Sequence, residues 1–174
     1  MAQQHAEQFE TLVLSQLDAA YTLARYLLRD EHDAQDAVQD AALRAFRNFH
    51  QFRGDDPRAW FMTIVRNCCF SWRRRYRRDR IAVSFEDYLT SAVDESPLPD
   101  ALAIAHSERV ALERAVGGLP LEFREVVVLR EIEGMSYAQI ATVTGAPIGT
   151  VMSRLSRARR RLAMALGTNA REVG

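Results

Sequence analysis

The N-terminal half of the chain has the apolar spacing of helices, and no part of it alternates as a strand does. Apolar residues recur every three or four positions over residues 9–28, which is the period of an amphipathic helix. A polar run follows, and Asp33 is expected to cap a second helix. The apolar stripe of this second helix consists of Ala34, Ala37, Val38, Ala41, Ala45, Phe46 and Phe49. Gly54 and Pro57 indicate a loop, and a third helix is predicted from about Arg58 onwards.

The middle of the chain has the composition of a linker. From about residue 79 to residue 100 the periodicity fades, and serine, proline and acidic residues accumulate. Helical spacing resumes near Ala101. The pattern therefore predicts an all-α protein of two small helical domains, at residues 1–80 and 104–174, joined by a flexible acidic linker at residues 81–103.

The C-terminal half contains a sequence typical of a helix-turn-helix. A helix is expected to stop at Gly134, and Ser136 and Gln139 fit a capping box that starts the next helix. That short helix is predicted over residues 137–144. It is followed by Gly145, which tolerates the left-handed backbone of a tight turn.

The last predicted helix, which begins near Pro147, has two different faces. Its apolar side is formed by Ile148, Val151, Leu155 and Leu162. Its polar side is formed by Thr150, Ser153, Arg154, Arg157 and Arg161. Such a helix fits the major groove, where arginine binds guanine or phosphate. A solvated arginine face is the alternative, but the capped helix and turn before it favour DNA binding.

Charge and composition narrow the function further. The net charge is zero, but residues 51–80 carry +6 and residues 119–174 carry +3, whereas residues 1–50 carry −4 and residues 81–118 carry −5. All 23 basic residues are arginine. Two basic blocks separated by an acidic one indicate two surfaces that face a polyanion.

Several classes of site and location are disfavoured. Cys68 and Cys69 are adjacent in an apolar helix, so we predict two buried thiols rather than a disulfide or a zinc site. The four histidines are scattered, and no nucleophile–base–acid set is evident, so we expect no enzyme activity, no cofactor and no metal. The polar N-terminus and the absence of any 18-residue apolar run predict a soluble, cytoplasmic protein.

The C-terminal motif is similar to region 4 of the extracytoplasmic-function sigma factors. The residues that carry the resemblance are Leu119-Pro120, Arg124, Leu129-Arg130, Gly134-Met135-Ser136-Tyr137, Ile140-Ala141 and the run Gly149 to Arg159. In that family the domain reads the −35 promoter element. The resemblance implies that Met152, Ser153, Ser156 and Arg157 face base edges or phosphates. Together with the polar side of the helix, the predicted −35 contacts are Thr150, Met152, Ser153, Arg154, Ser156, Arg157 and Arg161. Met152 departs from the basic residue often found at its position.

The second predicted helix resembles sigma region 2.2. The resemblance rests on the run Asp36-Ala37-Val38-Gln39-Asp40 and on Leu43-Arg44-Ala45-Phe46. It implies that Asp33, Asp36, Gln39 and Asp40 dock on core RNA polymerase. Carboxylates and an amide suit a basic helical partner, although an acidic face of this kind is often merely solvated.

The third predicted helix interleaves aromatic residues with arginines, as single-strand binding surfaces do. The stretch resembles sigma regions 2.3–2.4, which open the −10 element. The resemblance implies that Trp60 and Asn67 help to open it and that the loop at residues 52–58 forms the pocket for a flipped base. With the arginines that follow the phosphates, the predicted −10 contacts are Phe52, Arg53, Trp60, Asn67, Arg73, Arg74 and Arg77. Part of the aromatic pattern is core instead, and Phe61, Ile64 and Val65 are expected to be buried.

Region 2, an acidic linker and region 4 occur in the order of the family and cover nearly the whole chain. The resemblance implies a sigma factor that binds core RNA polymerase and promoter DNA and that an anti-sigma factor restrains. Two alternatives remain open. A stand-alone helix-turn-helix regulator would leave the region 2 pattern unused, and a module that only sequesters an anti-sigma protein would not need the arginine faces.

Overall fold

The structure is a computed structural model that describes residues 2–79 and 99–172, with side chains described over residues 7–76 and 99–167. The N-terminal half consists of α1 (Ala2–Val13), α2 (Leu17–Leu28), α3 (Glu31–Asn48) and α4 (Pro57–Asp79). The C-terminal half consists of α5 (Asp100–Gly117), α6 (Leu121–Val127), α7 (Tyr137–Thr144) and α8 (Ile148–Glu172). The described residues form no β-strand, so the predicted all-α class is confirmed.

The starts of the N-terminal helices differ from the predicted ones in two places. A turn of 3-10 helix at Leu14–Gln16 divides the predicted first helix into α1 and α2. The prediction that Asp33 caps α3 was wrong, because Asp30 is the N-cap and its side chain accepts from the backbone N–H of Asp33. Asp30 has the extended backbone that an N-cap requires, whereas Asp33 already lies in the helix.

The N-terminal core is packed between α2, α3 and α4. Alanine predominates on the buried face of α3, which lets the neighbouring helices approach closely. Cys68 and Cys69 are buried free thiols, as predicted. Phe61 and Val65 are also buried, as predicted, whereas Ile64 is only half-buried and packs against this core. Phe46 was assigned to the buried stripe, and that was wrong, because its side chain is 55% exposed.

The C-terminal half contains the predicted helix-turn-helix. α5 begins at Asp100, so residues 100–103, predicted as linker, form its first turn, while residues 81–98 of that linker lie outside the described residues. α6 continues into a π-helical turn at Val128–Ile132. Gly134 and Gly145 adopt positive φ values of 64° and 69°. Both glycines therefore have the left-handed backbone at which a side chain would be strained.

The capping box of α7 is confirmed in both directions. The hydroxyl of Ser136 accepts from the backbone N–H of Gln139, and the Gln139 side chain accepts from the backbone N–H of Ser136.

On α8, Val151 and Leu155 are buried and Leu162 packs against the core. Ile148 does not share their burial, which corrects its predicted place on the packed face.

The two halves of the chain pack against each other. α4 lies against α7, and α2 lies against α6. The sequence predicted two domains on a flexible linker, but it did not predict this contact. The contact determines which parts of the predicted DNA-reading helices face solvent.

Candidate nucleic-acid interface

The polar face of α8 is presented to solvent over most of its length. Val151, Leu155 and Ala158 are buried on the opposite side and hold the helix against α6. Of the residues predicted to read the −35 element, the exposed ones are Met152, Ser153, Ser156, Arg157 and Arg161. The guanidinium of Arg161 lies over the ring of Phe123, 5.1 Å from its centroid. Hydroxyl, thioether and guanidinium groups are thus displayed together on one rigid helix.

The N-terminal part of α8 is less exposed to solvent than the rest of its polar face. Thr150 and Arg154 are half-buried and line a cleft opposite Arg66 and Phe70 of α4. The predicted −35 residues therefore divide into an exposed group and a pair that faces the N-terminal half. This division was not evident from the sequence, because helical periodicity identifies a face but not what lies opposite it.

A neighbouring arginine, Arg159, has a structural partner. It donates to the carboxylate of Glu131, which lies on the π-helical turn that continues α6. The hydrogen bond with Glu131 raises the pKa of Arg159. Arg159 therefore links α8 to the π-helical turn that continues α6.

An aromatic cluster holds the start of α4. The ring of Trp60 lies 5.1 Å from that of Phe52 and 6.1 Å from that of Phe49, centroid to centroid. Trp60 and Phe52 are both half-buried. Arg53 next to them is exposed, and its Nη1 donates to the carbonyl oxygen of His50 at 2.6 Å. Trp60 and Phe52 thus belong partly to the core while keeping part of their rings at the surface.

The remaining predicted −10 residues are distributed along α4. Asn67 and Arg74 are exposed. Arg73 is half-buried and donates from Nη1 to the carbonyl oxygen of Leu27 at 2.8 Å, near the C-terminus of α2. The side chain of Arg77 lies outside the described residues. The structure thus brings Asn67 and Arg74 to the surface and directs Arg73 toward α2.

The acidic face of α3 is at the surface in this arrangement. Asp36 and Gln39 are exposed, while Asp33 and Asp40 are half-buried. Asp40 forms an ion pair with Arg44 at 2.9 Å.

Two exposed apolar side chains of α3, Leu43 and Phe46, continue this face. They follow Asp36 and Gln39 at helical spacings of three and four, so they lie along the same side of the helix. Leu43 and Phe46 were not among the predicted site residues. Their spacing from Asp36 and Gln39 was the available indication, but Phe46 also fitted the core stripe.

Contacts between the halves place charged groups of both predicted DNA-reading helices, α4 and α8, at one carboxylate. Arg66 of α4 donates from Nε to Oε2 of Glu125 at 2.6 Å and from Nη2 to Oε1 at 3.1 Å. Nη1 of Arg154 lies 3.8 Å from the same Oε1. Glu125 is 1% exposed. Neither Arg66 nor Glu125 was singled out from the sequence, where each has the appearance of a surface charge.

Two other features that the sequence disfavoured are a metal site and a membrane-spanning helix. No group of three or more histidine, cysteine or acidic residues among those described is arranged to hold a metal ion. No helix in the described parts of the chain is long and apolar enough to cross a membrane.

Comparisons with known proteins agree with this arrangement of helices. The family model for Sigma-70 region 2 matches residues 12–79, and that for Sigma-70, region 4 matches residues 109–162. The ECF RNA polymerase sigma factor SigE of Mycolicibacterium smegmatis is 36% identical over 156 residues, which cover 88% of this chain and 60% of SigE. The ECF RNA polymerase sigma factor SigM of Mycobacterium tuberculosis is 38% identical over 148 residues, which cover 84% of this chain and 71% of SigM.

A solved structure has the same fold. It is that of the sigma factor RpoE in complex with the anti-sigma factor NepR from Bartonella quintana, with a TM-score of 0.74 and 30% identity. The match covers 92% of this chain and 98% of RpoE. Together with the two family models and the curated relatives, it shows that this chain belongs to the extracytoplasmic-function sigma factors of the sigma-70 family.

Proposed function

We propose that this protein binds core RNA polymerase and directs it to promoters, where α8 reads the −35 duplex and α4 opens the −10 element. The observation that carries the proposal is the exposed polar face of α8 on a capped helix-turn-helix, in one chain with the exposed acidic face of α3. A DNA-binding module alone would not need the second surface. Membership of the sigma family accounts for both.

The −35 contact is proposed for the polar face of α8. A recognition helix enters the major groove with its N-terminal part, and arginine there forms bidentate bonds to guanine. Arg157 lies in the middle of the exposed group, and we propose that it forms such a bond. Ser153 and Ser156 supply hydroxyl donors and acceptors beside it. Met152 offers an apolar contact, which suits a thymine methyl group better than a phosphate.

The −10 contact is proposed for the start and middle of α4. Aromatic faces receive unstacked bases, and arginines follow the phosphates of the separated strand. Trp60 and Phe52 keep part of their rings at the surface, and the exposed Arg53 lies beside them. Stacking and phosphate contacts offset the loss of base pairing, so opening requires no catalytic residue. We therefore propose that the protein is an initiation factor and not an enzyme.

Polymerase docking is proposed for the face of α3 formed by Asp33, Asp36, Gln39 and Asp40. The exposed Leu43 and Phe46 extend this face with an apolar contact. An interface of this kind combines charge complementarity at the rim with an apolar centre. We also propose that an anti-sigma factor binds this chain, since the similar RpoE was solved with NepR. With these partners, we propose that the protein acts in the cytoplasm.

Run-off transcription tests the proposal. Purified core polymerase is supplied with genomic DNA fragments, with and without this protein, and the transcripts are mapped. Discrete start sites that depend on the protein are the expected result. Tight duplex binding by the protein alone, with no polymerase-dependent initiation, would instead identify a stand-alone regulator.

A further inference from the structure

Three arginines converge on the C-terminal end of α2. Nη1 of Arg124 donates to the carbonyl oxygen of Tyr26 at 2.9 Å, and Nη1 of Arg73 donates to that of Leu27 at 2.8 Å. Arg29 is the residue that directly follows α2. The three guanidinium groups come from α6, from α4 and from the end of α2 itself. Cations from three separate parts of the chain are thus gathered at one place.

The backbone of Arg29 is unusual for an arginine. Its φ is 62°, and it is the one non-glycine residue with a positive φ in the described parts of the chain. Glycine or asparagine is usual at such a helix end, because a β-carbon is strained there. The Arg29 guanidinium lies against the end of α5, where Nη2 is 3.6 Å from the position that a Cβ on Gly117 would take. The strain indicates that this side chain has a use other than ending the helix.

The cluster holds more positive charge than its surroundings offset. The C-terminus of a helix carries about half a negative charge, which is a fraction of the charge of three cations. Neither Arg29 nor Arg124 forms an ion pair with a described residue. Glu113, the last acidic residue of α5, pairs with Arg109 at 3.2 Å. The helix end therefore accounts for the hydrogen bonds of the cluster but not for its charge.

Arg124 is the buried member of the cluster. It is 7% exposed and donates to the carbonyl oxygens of Tyr26 and Leu119, while its Nε is buried without a hydrogen-bond partner among the described residues. Burial, together with the neighbouring charges of Arg29 and Arg73, lowers the pKa of Arg124 to about 10. An unpaired buried donor and a desolvated cation both destabilise the folded state. A bound anion would offset the second cost, because it neutralises the guanidinium groups and accepts their hydrogen bonds.

We propose that Arg29, Arg73 and Arg124 form a binding site for a small, multiply charged oxyanion of the phosphate class. The planar fork of a guanidinium matches two oxygens of a phosphate group, so three forks suit a ligand with one or two such groups. Arg29 is exposed and forms the outer side of the site, and Arg73 is half-buried. The site uses neither promoter nor polymerase, so it stands or falls independently of the proposed function.

The burial of Arg124 decides between a small anion and nucleic acid. Its side chain lies between α2 and α6, which pack against each other. A group that enters from the side of Arg29 has to be narrow, and the backbone of a DNA duplex is too wide to follow. Arg73 was predicted to contact −10 phosphates, and its bond to the end of α2 suits a small anion better than a DNA strand.

Thermal unfolding of the whole chain with pyrophosphate tests the site. Sodium chloride keeps the ionic strength constant, so that general screening does not change along the titration. Pyrophosphate is expected to raise Tm along a saturable curve, because it binds the folded state. Arg29→Gln removes one exposed cation and is expected to weaken binding about tenfold. Arg47→Gln, which removes an exposed cation from α3 of the same half, is the matched control and is expected to bind as the parent does.

Arg29→Gly separates binding from a purely structural role. Glycine relieves the left-handed backbone and removes the cation, so this variant is expected to have a Tm at least as high as that of the parent without the anion. It is also expected to bind pyrophosphate about tenfold more weakly. A lower Tm with undiminished binding would show that Arg29 serves packing alone, and it would overturn the site.

Two further outcomes would overturn the proposal. One is equal affinity for pyrophosphate in the parent, Arg29→Gln and Arg47→Gln, since the stabilisation would then come from general screening. The other concerns a single-stranded oligonucleotide, titrated at the same phosphate concentration. Its binding is expected to change little in Arg29→Gln. A tenfold loss of oligonucleotide binding with unchanged pyrophosphate binding would assign the cluster to nucleic acid instead.

Discussion

The side chain of Gln139 donates from Nε2 to Oδ2 of Asp56 at 2.8 Å and so joins the N-termini of two helices from opposite halves of the chain. The other oxygen of Asp56 accepts from the backbone N–H of Ala59 at 2.9 Å, which caps α4. The oxygen of Gln139 accepts from Ser136 and completes the capping box of α7. Each side chain therefore stabilises its own helix and the interface together.

Replacing Asp56 separates these contributions. Asp56→Ala is expected to lower the free energy of unfolding by about 1–2 kcal/mol, because α4 loses its cap and Gln139 loses its acceptor. Asp56→Asn keeps an oxygen for the cap but presents an amide NH2 to Gln139, so it is expected to lose the interface bond alone, about 0.5–1 kcal/mol. Urea unfolding followed by circular dichroism measures both. Equal losses in the two variants would contradict the capping role.

The buried thiols predict a pH dependence of stability. Burial raises the pKa of Cys68 to about 11 and that of Cys69 to about 12. The folded state therefore favours the protonated thiols. Their contribution to stability is full below the unfolded pKa of about 8.5 and is lost as pH rises toward the folded values. Between pH 8.5 and 9.5 each thiol is expected to remove up to about 1.4 kcal/mol from the free energy of unfolding.

Urea unfolding in the presence of a reductant, repeated across that pH range, measures this slope. A variant with both Cys68→Ala and Cys69→Ala is the control and is expected to lose less stability per pH unit. The same burial predicts that thiol reagents at pH 8 modify the folded protein about a hundredfold more slowly than the unfolded chain. Rapid modification of the folded protein would show that the thiols are accessible.

Local chemistry explains why much of the fold was predictable. The capping box at Ser136, the left-handed turns at Gly134 and Gly145 and the apolar period of α8 depend on residues close in sequence. Such features follow from backbone sterics and hydrogen bonding within one turn. The N-cap of α3 was predicted at the wrong residue because Asp30, Glu31 and Asp33 lie within four positions of one another. Only the backbone conformation singles out Asp30 among them.

Long-range packing was not predictable in the same way. Arg66 and Glu125 are 59 positions apart, and each lies on a helix whose polar residues would be solvated in isolation. Their burial depends on the contact between the halves, and no periodicity within either helix specifies it. The predicted place of Phe46 in the apolar stripe was wrong for a related reason. An apolar residue at the edge of such a stripe can face either the core or a partner protein. Residues of the candidate site were found where they share one helix face and missed where two helices meet.

The acidic face of α3 gives a prediction about polymerase. Asp36→Arg is expected to weaken binding to core polymerase about tenfold or more, because it places a cation against a basic partner. Gln35→Arg adds the same side chain at the adjacent exposed position and is expected to have a smaller effect. Fluorescence anisotropy of labelled protein titrated with core enzyme measures both affinities. Equal affinity of Asp36→Arg and the parent protein would exclude this face from the interface.

Arg157 gives the sharpest prediction about the promoter. Its guanidinium is exposed in the middle of the proposed −35 face, and a bidentate contact to guanine discriminates against other bases by about 1–3 kcal/mol. Arg157→Ala is therefore expected to reduce the preference for the promoter over a version with an altered −35 element by about 5- to 150-fold. Arg109→Ala removes the same charge from α5 of the same half, so it is expected to leave the preference unchanged. Run-off transcription with both templates in one reaction measures the ratio directly. An unchanged ratio for Arg157→Ala would assign −35 reading to other residues of α8, whereas equal losses in both variants would indicate a general effect of charge.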